Sequence, residues 1–225
     1  MTVASNEPQP TRNLLRRLAL RAGALLLVLA VGVAIGLLVP GARTPSDSSA
    51  EAGFARDMAT HHAQAVEMSM IAYANSASPE VTTLAQDIAL TQQAQIGTMR
   101  AWLTAWKLSP TGREPMAWMK TPRDMPGMDH GGAATMPGMA TKAELDSLRR
   151  AAGRDLDIAF TQLMIRHHEG GITMVDAVLA AEPRSEVRDL AAQMRAGQDA
   201  ELTAMRDLLH RLTTDNSAEN GVRGD

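Results

Sequence analysis

Between residues 81 and 103 apolar side chains return at steps of three and four: Val81, Leu84, Ala85, Ile88, Ile96, Met99 and Leu103, with Gln92 the one polar member. That spacing predicts one face of an α-helix. The face reappears 106 positions later at Val187, Leu190, Gln198, Met205 and Leu209. The same offset runs upstream without a gap. It carries Phe54 to Phe160, Met58 to Met164, His61-His62 to His167-His168 and Met68 to Met174. A register held over about fifty positions predicts a duplicated helical hairpin.

The ends of the predicted helices carry local signals. Ser78-Pro79-Glu80 offers an N-cap, a proline at the first helical position and an acid in the first turn. Thr141 and Glu144 have the form of a capping box. Short turns fall at 75–78 and 182–185. Four helices are expected, at about 51–75, 79–107, 142–181 and 184–213. Short loops force antiparallel neighbours, so the fold class is all-α: a four-helix bundle over 51–213 with one long connection at 108–141. That connection is rich in proline and glycine and is predicted to be non-helical. The polar stretch 214–225 is expected to fray.

Upstream, residues 22–39 form a run of 18 without a charge, preceded by Arg12, Arg16, Arg17 and Arg21. The length just suffices for a transmembrane helix, and the flanking arginines place segment 1–21 in the cytoplasm. The expectation is a single-pass anchor in the cytoplasmic membrane, with a cleaved signal sequence as the competing reading. Both send the linker at 40–50 and the bundle outside the cytoplasm.

Composition narrows the chemistry. The chain of 225 residues has 15 methionines, no cysteine and a net charge of −3. Absence of cysteine removes disulfides, thiolate metal sites and a lipid-modified cysteine. The slightly acidic balance gives no electrostatic basis for binding nucleic acid.

The repeated pattern reads M-x-x-H-H-x-x-small-x-x-M, at 58–68 and 164–174. On a helix its methionines, histidines and small residue share an arc of about 120°. Thioether and imidazole together suit copper(I), and silver(I) by the same softness, and suit magnesium, calcium or manganese poorly. His61, His62, His167 and His168 are therefore the expected principal ligands, completed by Met58, Met68, Met164 and Met174. Adjacent residues on a helix diverge by about 100°, so one histidine of each pair should face the bundle axis and the other its flank or a second site. Gln92 and Gln198, at otherwise apolar positions, are expected to hydrogen-bond the ligand imidazoles. The connection adds Met116, Met119, Met125, Met128, His130, Met136 and Met139, a second group of soft donors. These are expected to lie exposed and to capture the ion.

Other chemistries lack their residues. The positions three before the histidines are Met58, Ala59, Met164 and Ile165, so the Glu-x-x-His of di-iron bundles is missing. No H-E-x-x-H zinc motif, nucleophile elbow, phosphate loop or dinucleotide fingerprint occurs. The chain is not expected to be an enzyme.

Phe54, Met58, His61, His62, Ala65 and Met68, followed by Gln92, Ile96, Met99, Trp102 and Leu103, resemble the family named domain of unknown function 305. The second copy matches at Phe160, Met164, His167, His168 and Met174, with Gly171 in place of alanine and Leu208 in place of tryptophan. The resemblance covers about 51–212. It implies a ferritin-like bundle, usually exported, and in some members copper binding linked to resistance.

The expected function is extracytoplasmic copper(I) binding for buffering, resistance or transfer, with a copper donor or acceptor protein as partner and self-association left open. Two alternatives stand beside it. One is a metal-free sensor or interaction module whose histidines titrate near neutral pH. The other is a ferritin-like metal-dependent oxidase.

Overall fold

The computed structural model describes residues 10–38, 44–112, 114–119 and 136–222. Among these the chain forms helices only: α1 (Pro10–Leu38), α2 (Ala50–Asn75), α3 (Pro79–Ala105), α4 (Lys142–Arg150), α5 (Gly153–Ala180) and α6 (Ser185–Val222). It divides into two compact units, Met1–Thr44 and Pro45–Asp225.

Within the first unit α1 contains most of the charge-free run, and its leucines and valines from Leu20 to Val33 are exposed. Among the described residues, however, no helix is long and apolar enough to cross a membrane. The expected single-pass span is not found. Helix α1 ends at Leu38, Val39 lies outside the described residues, and the part of α1 up to Arg21 carries four arginines. What remains is shorter than the roughly 20 apolar residues a bilayer requires.

In the second unit α2 pairs with α3, α5 pairs with α6, and α2 packs along α5. The caps anticipated from the sequence are present. The Ser78 hydroxyl accepts from the Val81 amide with Pro79 in the first turn, and Thr141 and Glu144 close a reciprocal capping box. Ser49 caps α2 in the same way through the Ala52 amide.

Two boundaries differ from expectation. The third predicted helix, 142–181, is two helices, broken at Ala151-Ala152 with Gly153 at φ +56°. Extended backbone at both alanines interrupts the helical ladder, and glycine tolerates the left-handed turn that restarts it. The break lets α4 bury Leu145 and Leu148, while Arg166 of α5 binds Glu144 through two hydrogen bonds of 2.7 Å. The last helix also continues beyond 213 to Val222.

The core comprises two apolar clusters. One joins Phe54 and Met58 of α2 to Ile96, Met99 and Leu103 of α3, Met174 and Val178 of α5, and Val187 and Met194 of α6. The other joins Met68 and Ala72, Val81 and Ile88, Phe160 and Met164, and Leu202 and Met205. The N-terminal part of α2 thus packs with the C-terminal part of α5, and the reverse, so the two helices are antiparallel. The exchange of repeat counterparts between the two clusters relates the hairpins by an approximate two-fold axis.

Candidate metal centre

The two clusters are separated by a buried polar layer. His61, His62, His167 and His168 are all at most 1% exposed, and Gln92 and Gln198 are buried with them. The histidines sit there because α2 and α5 meet at their midpoints. The apolar residues before and after each pair are taken up by different clusters, which leaves the pairs between them.

The structure resolves which histidine of each pair takes which direction. His61 and His167 meet at the α2–α5 contact, ring centroids 3.7 Å apart and planes 33° apart. His167 Nε2–H donates to the His61 carbonyl at 3.1 Å, and His61 Nε2–H donates to the Pro137 carbonyl at 3.0 Å. His62 and His168 turn to the second helix of their own hairpins. His62 Nε2–H donates to Gln95 Oε1 at 2.7 Å, and His168 Nε2–H donates to Glu201 Oε2 at 2.6 Å.

A carbonyl or carboxylate oxygen can only accept, so each of these contacts places a proton on Nε2, and a neutral ring then carries its lone pair on Nδ1. The Nδ1 atoms of His61, His62 and His168 are buried without a hydrogen-bond partner. The Oε1 atoms of Gln92 and Gln198 are in the same condition. The layer thus holds five buried acceptors with no donor, a deficit that folded proteins rarely leave uncompensated.

Electrostatics keep His61, His62 and His167 neutral. Burial lowers His61 to about 4 and His62 to about 3, with neighbouring histidines adding to the shift of His62. His167 is held well below its ordinary value, first by burial and then by His61. A neutral imidazole is the form that binds metal. The same shifts count against histidines that titrate near neutral pH.

The four helix methionines are fully buried, with Met58 and Met174 on one side of the polar layer and Met68 and Met164 on the other. The glutamine expectation needs correction. The imidazoles are bonded by Gln95 and Glu201, while Gln92 and Gln198 form no hydrogen bond to a histidine among the described residues. Gln95 and Glu201 are themselves 106 positions apart, as are the histidines they hold. The repeat register was the signal that could have found them. One turn of helix separates Gln92 from Gln95, so both reach the same layer. The small residue of the second motif packs against Gln198. A Cβ on Gly171 would lie 2.6 Å from Gln198 Oε1, so the glycine makes room for that amide.

The connection is docked where it is described. On the outward leg the Asp57 carboxylate accepts from the Met116 amide at 2.7 Å and from Trp118 Nε1 at 2.8 Å. The Trp118 ring lies over Gly53, where a Cβ would meet it at 2.3 Å, and edge-on to Phe54. On the return leg Gln64 bonds both the amide and the carbonyl of Ala140, at 2.6 and 2.9 Å. Met116, Met119 and Met136 are half-buried against the Phe54 cluster, and Met139 is half-buried as well. The expectation of exposed thioethers fails for these four because both legs fold back on α2. Met125, Met128 and His130 lie outside the described residues.

Among the described residues no group of three or more histidines and carboxylates is gathered to hold a metal ion. The layer offers buried Nδ1 atoms with thioethers on both sides, donors that suit a soft ion.

A family model described as domain of unknown function (DUF305) matches residues 51–209. A DUF305 protein of Streptomyces coelicolor, described as secreted, is 39% identical, with 74% of this chain and 96% of that one covered and a TM-score of 0.67. A DUF305 fragment from Deinococcus radiodurans is 31% identical, with 72% and 96% covered and a TM-score of 0.59. CopM in its Cu(II)-bound form is 25% identical, with 72% and 97% covered and a TM-score of 0.53. No curated protein matches the chain.

Proposed function

We propose that this chain, which belongs to the DUF305 family, binds copper(I) outside the cytoplasm and buffers it or passes it to a partner protein. The observation that carries the reading is the donor-poor polar layer, with three buried Nδ1 atoms and two amide oxygens unpartnered between buried methionine pairs. A cation completes such a layer, and the chemistry of its donors selects a soft one. The Nε2–H bonds to Pro137, Gln95, the His61 carbonyl and Glu201 orient the rings, as the outer partners of metal-bound histidines do. Copper bound to CopM, a protein of the same fold, supports the choice of metal, and silver(I) is the natural surrogate.

We read the paired hairpins as a ferritin-like bundle in which the metal is cargo. No catalytic step is assigned. Placement outside the cytoplasm is supported by the arginine-preceded apolar run and by the relative described as secreted. The neutral-pH sensor alternative is disfavoured because burial takes His61, His62 and His167 out of that range.

The test is anaerobic titration of the purified chain with copper(I) against a coloured competing chelator. Replacing His61, His62, His167 and His168 together with alanine is expected to abolish competition. Unchanged affinity in a variant that still melts cooperatively would exclude the layer as the site.

A further inference from the structure

We propose that residues 136–140 are a latch over the paired histidines, that Gln64 holds it shut, and that a metal ion enters and leaves the layer when it lifts. The inference rests on the metal-binding reading for its cargo, and on geometry alone for the latch. Three contacts define the closed state. Pro137 presents its carbonyl to His61 Nε2–H at 3.0 Å. Gln64 grips the Ala140 backbone through both ends of its amide, at 2.6 and 2.9 Å. Between them Gly138, at φ +75°, passes so close to α5 that an added Cβ would lie 2.3 Å from the Arg166 carbonyl.

The repeat shows that this strap is a built feature. The duplicate of Gln64 is Gly170, at the same 106-residue offset. A Cβ on Gly170 would lie 2.1 Å from the Pro137 carbonyl. One hairpin therefore supplies a hook and its twin supplies a slot at the same position, so one strap crosses the approximate two-fold axis. This is where the two halves, otherwise alike, were made different. The strap also seals the stacked rings: His61 and His167 are 0% and 1% exposed, and the side chain of Met136 packs into the Phe54 cluster.

The closed strap uses Nε2 of His61 and leaves its Nδ1 free, so it can close again over a bound ion without giving up its own hydrogen bond. Gln64 is then a positioning residue that sets exchange rate and leaves affinity nearly untouched. Two neutral hydrogen bonds at partly buried sites, once removed, raise the open population about tenfold or more.

The experiment uses the full chain and two variants that open the strap from opposite sides, Gln64→Ala and Gly170→Ala. Stopped-flow measurements follow silver(I) or copper(I) capture, and release to a chelator. Both rates are expected to rise about tenfold in each variant, with the dissociation constant changed by less than about threefold. Exchange of the His61 Nε2 proton, followed by nitrogen-15 NMR on metal-free protein, is expected to accelerate in parallel. Unchanged exchange and unchanged metal rates in variants that melt cooperatively would overturn the latch, as would a loss of affinity without faster exchange. If the wild-type chain takes up no metal while proton exchange accelerates in both variants, the latch stands and the copper reading falls.

Discussion

His167 Nε2 donates to the backbone carbonyl of His61, while the two rings lie with centroids 3.7 Å apart and planes tilted by 33°. The pair is thus fixed by a bond between a side chain and the very residue whose ring it touches. Two imidazolium ions at that separation would repel strongly in a site that excludes water, so the fold depends on both rings remaining neutral. The contact that builds the layer is also the contact that prepares it for a cation.

Acid should therefore unfold the chain before its carboxylates titrate. His61 has its folded value lowered to about 4 and His62 to about 3, against 6.5 when exposed. As the pH falls below 6.5 the unfolded chain takes up protons that the folded chain refuses. Stability is complete above that value and is lost progressively down to the folded values, at a cost on the order of 3 kcal/mol for His61 alone. Urea midpoints measured from pH 7 to pH 5 should fall steadily. A flat profile across that window would contradict neutral, buried histidines.

Methionine as ligand and methionine as core filler can be separated. Leucine is close to methionine in volume, so Met58→Leu with Met174→Leu, or Met68→Leu with Met164→Leu, should each cost less than about 1.5 kcal/mol per site. If the thioethers bind the ion, copper(I) affinity should fall by about tenfold or more while the urea midpoint moves little. Both pairs flank the histidine layer, one on each side, so both double variants should show the effect. Unchanged affinity in both would leave these methionines as packing alone.

The offset of 106 residues made the hairpins, the buried methionines and the histidine layer legible before any coordinates. Ser78, Pro79, Thr141 and Glu144 likewise announced the ends of α3 and α4 through local bonding rules. What escaped were features that break the repeat or depend on tertiary approach. The break at Ala151-Ala152 and the restart at Gly153 interrupt a periodicity that runs on smoothly, because a left-handed glycine turn leaves no trace in an apolar pattern. Gln95 and Glu201 were hidden because the attention of a pattern reader falls on a polar residue at an apolar position, such as Gln92. A polar residue one turn along, at an ordinary boundary position, draws none. The docking of Met116 and Met136 was not readable either, since it follows from Asp57 and Gln64, whose partners are backbone atoms far along the chain.

The outer partners of the flanking histidines can be ranked. His168 is fully buried and, among the described residues, its Nε2–H donates to Glu201 alone, at 2.6 Å. Glu201→Ala leaves a buried N–H without a partner and should cost about 1–3 kcal/mol in chemical denaturation. Glu201→Gln keeps an oxygen in reach, as Gln95 does naturally for His62, and should cost less than about 1 kcal/mol. Equal losses in the two variants would show that the glutamate acts through charge or packing elsewhere.

Asp57 should govern the outward leg of the connection. Its carboxylate is raised by burial and receives hydrogen bonds from the Met116 amide and from Trp118 Nε1. Asp57→Ala removes both bonds together and should cost about 1–3 kcal/mol. The larger consequence is local. Trp118 rests over Gly53 and against the edge of Phe54, and without Asp57 nothing directs its indole N–H inward. In a Trp102→Phe, Trp106→Phe background Trp118 is the single tryptophan, since the chain has 3. Its emission should shift to longer wavelength and its quenching by acrylamide should increase when Asp57 is replaced. The return leg is held separately by Gln64 and His61, so the copper(I) exchange rates should stay within about threefold of the parent, a difference of less than 1 kcal/mol. Coupled changes in Trp118 emission and metal exchange would instead mean that both legs move as one body.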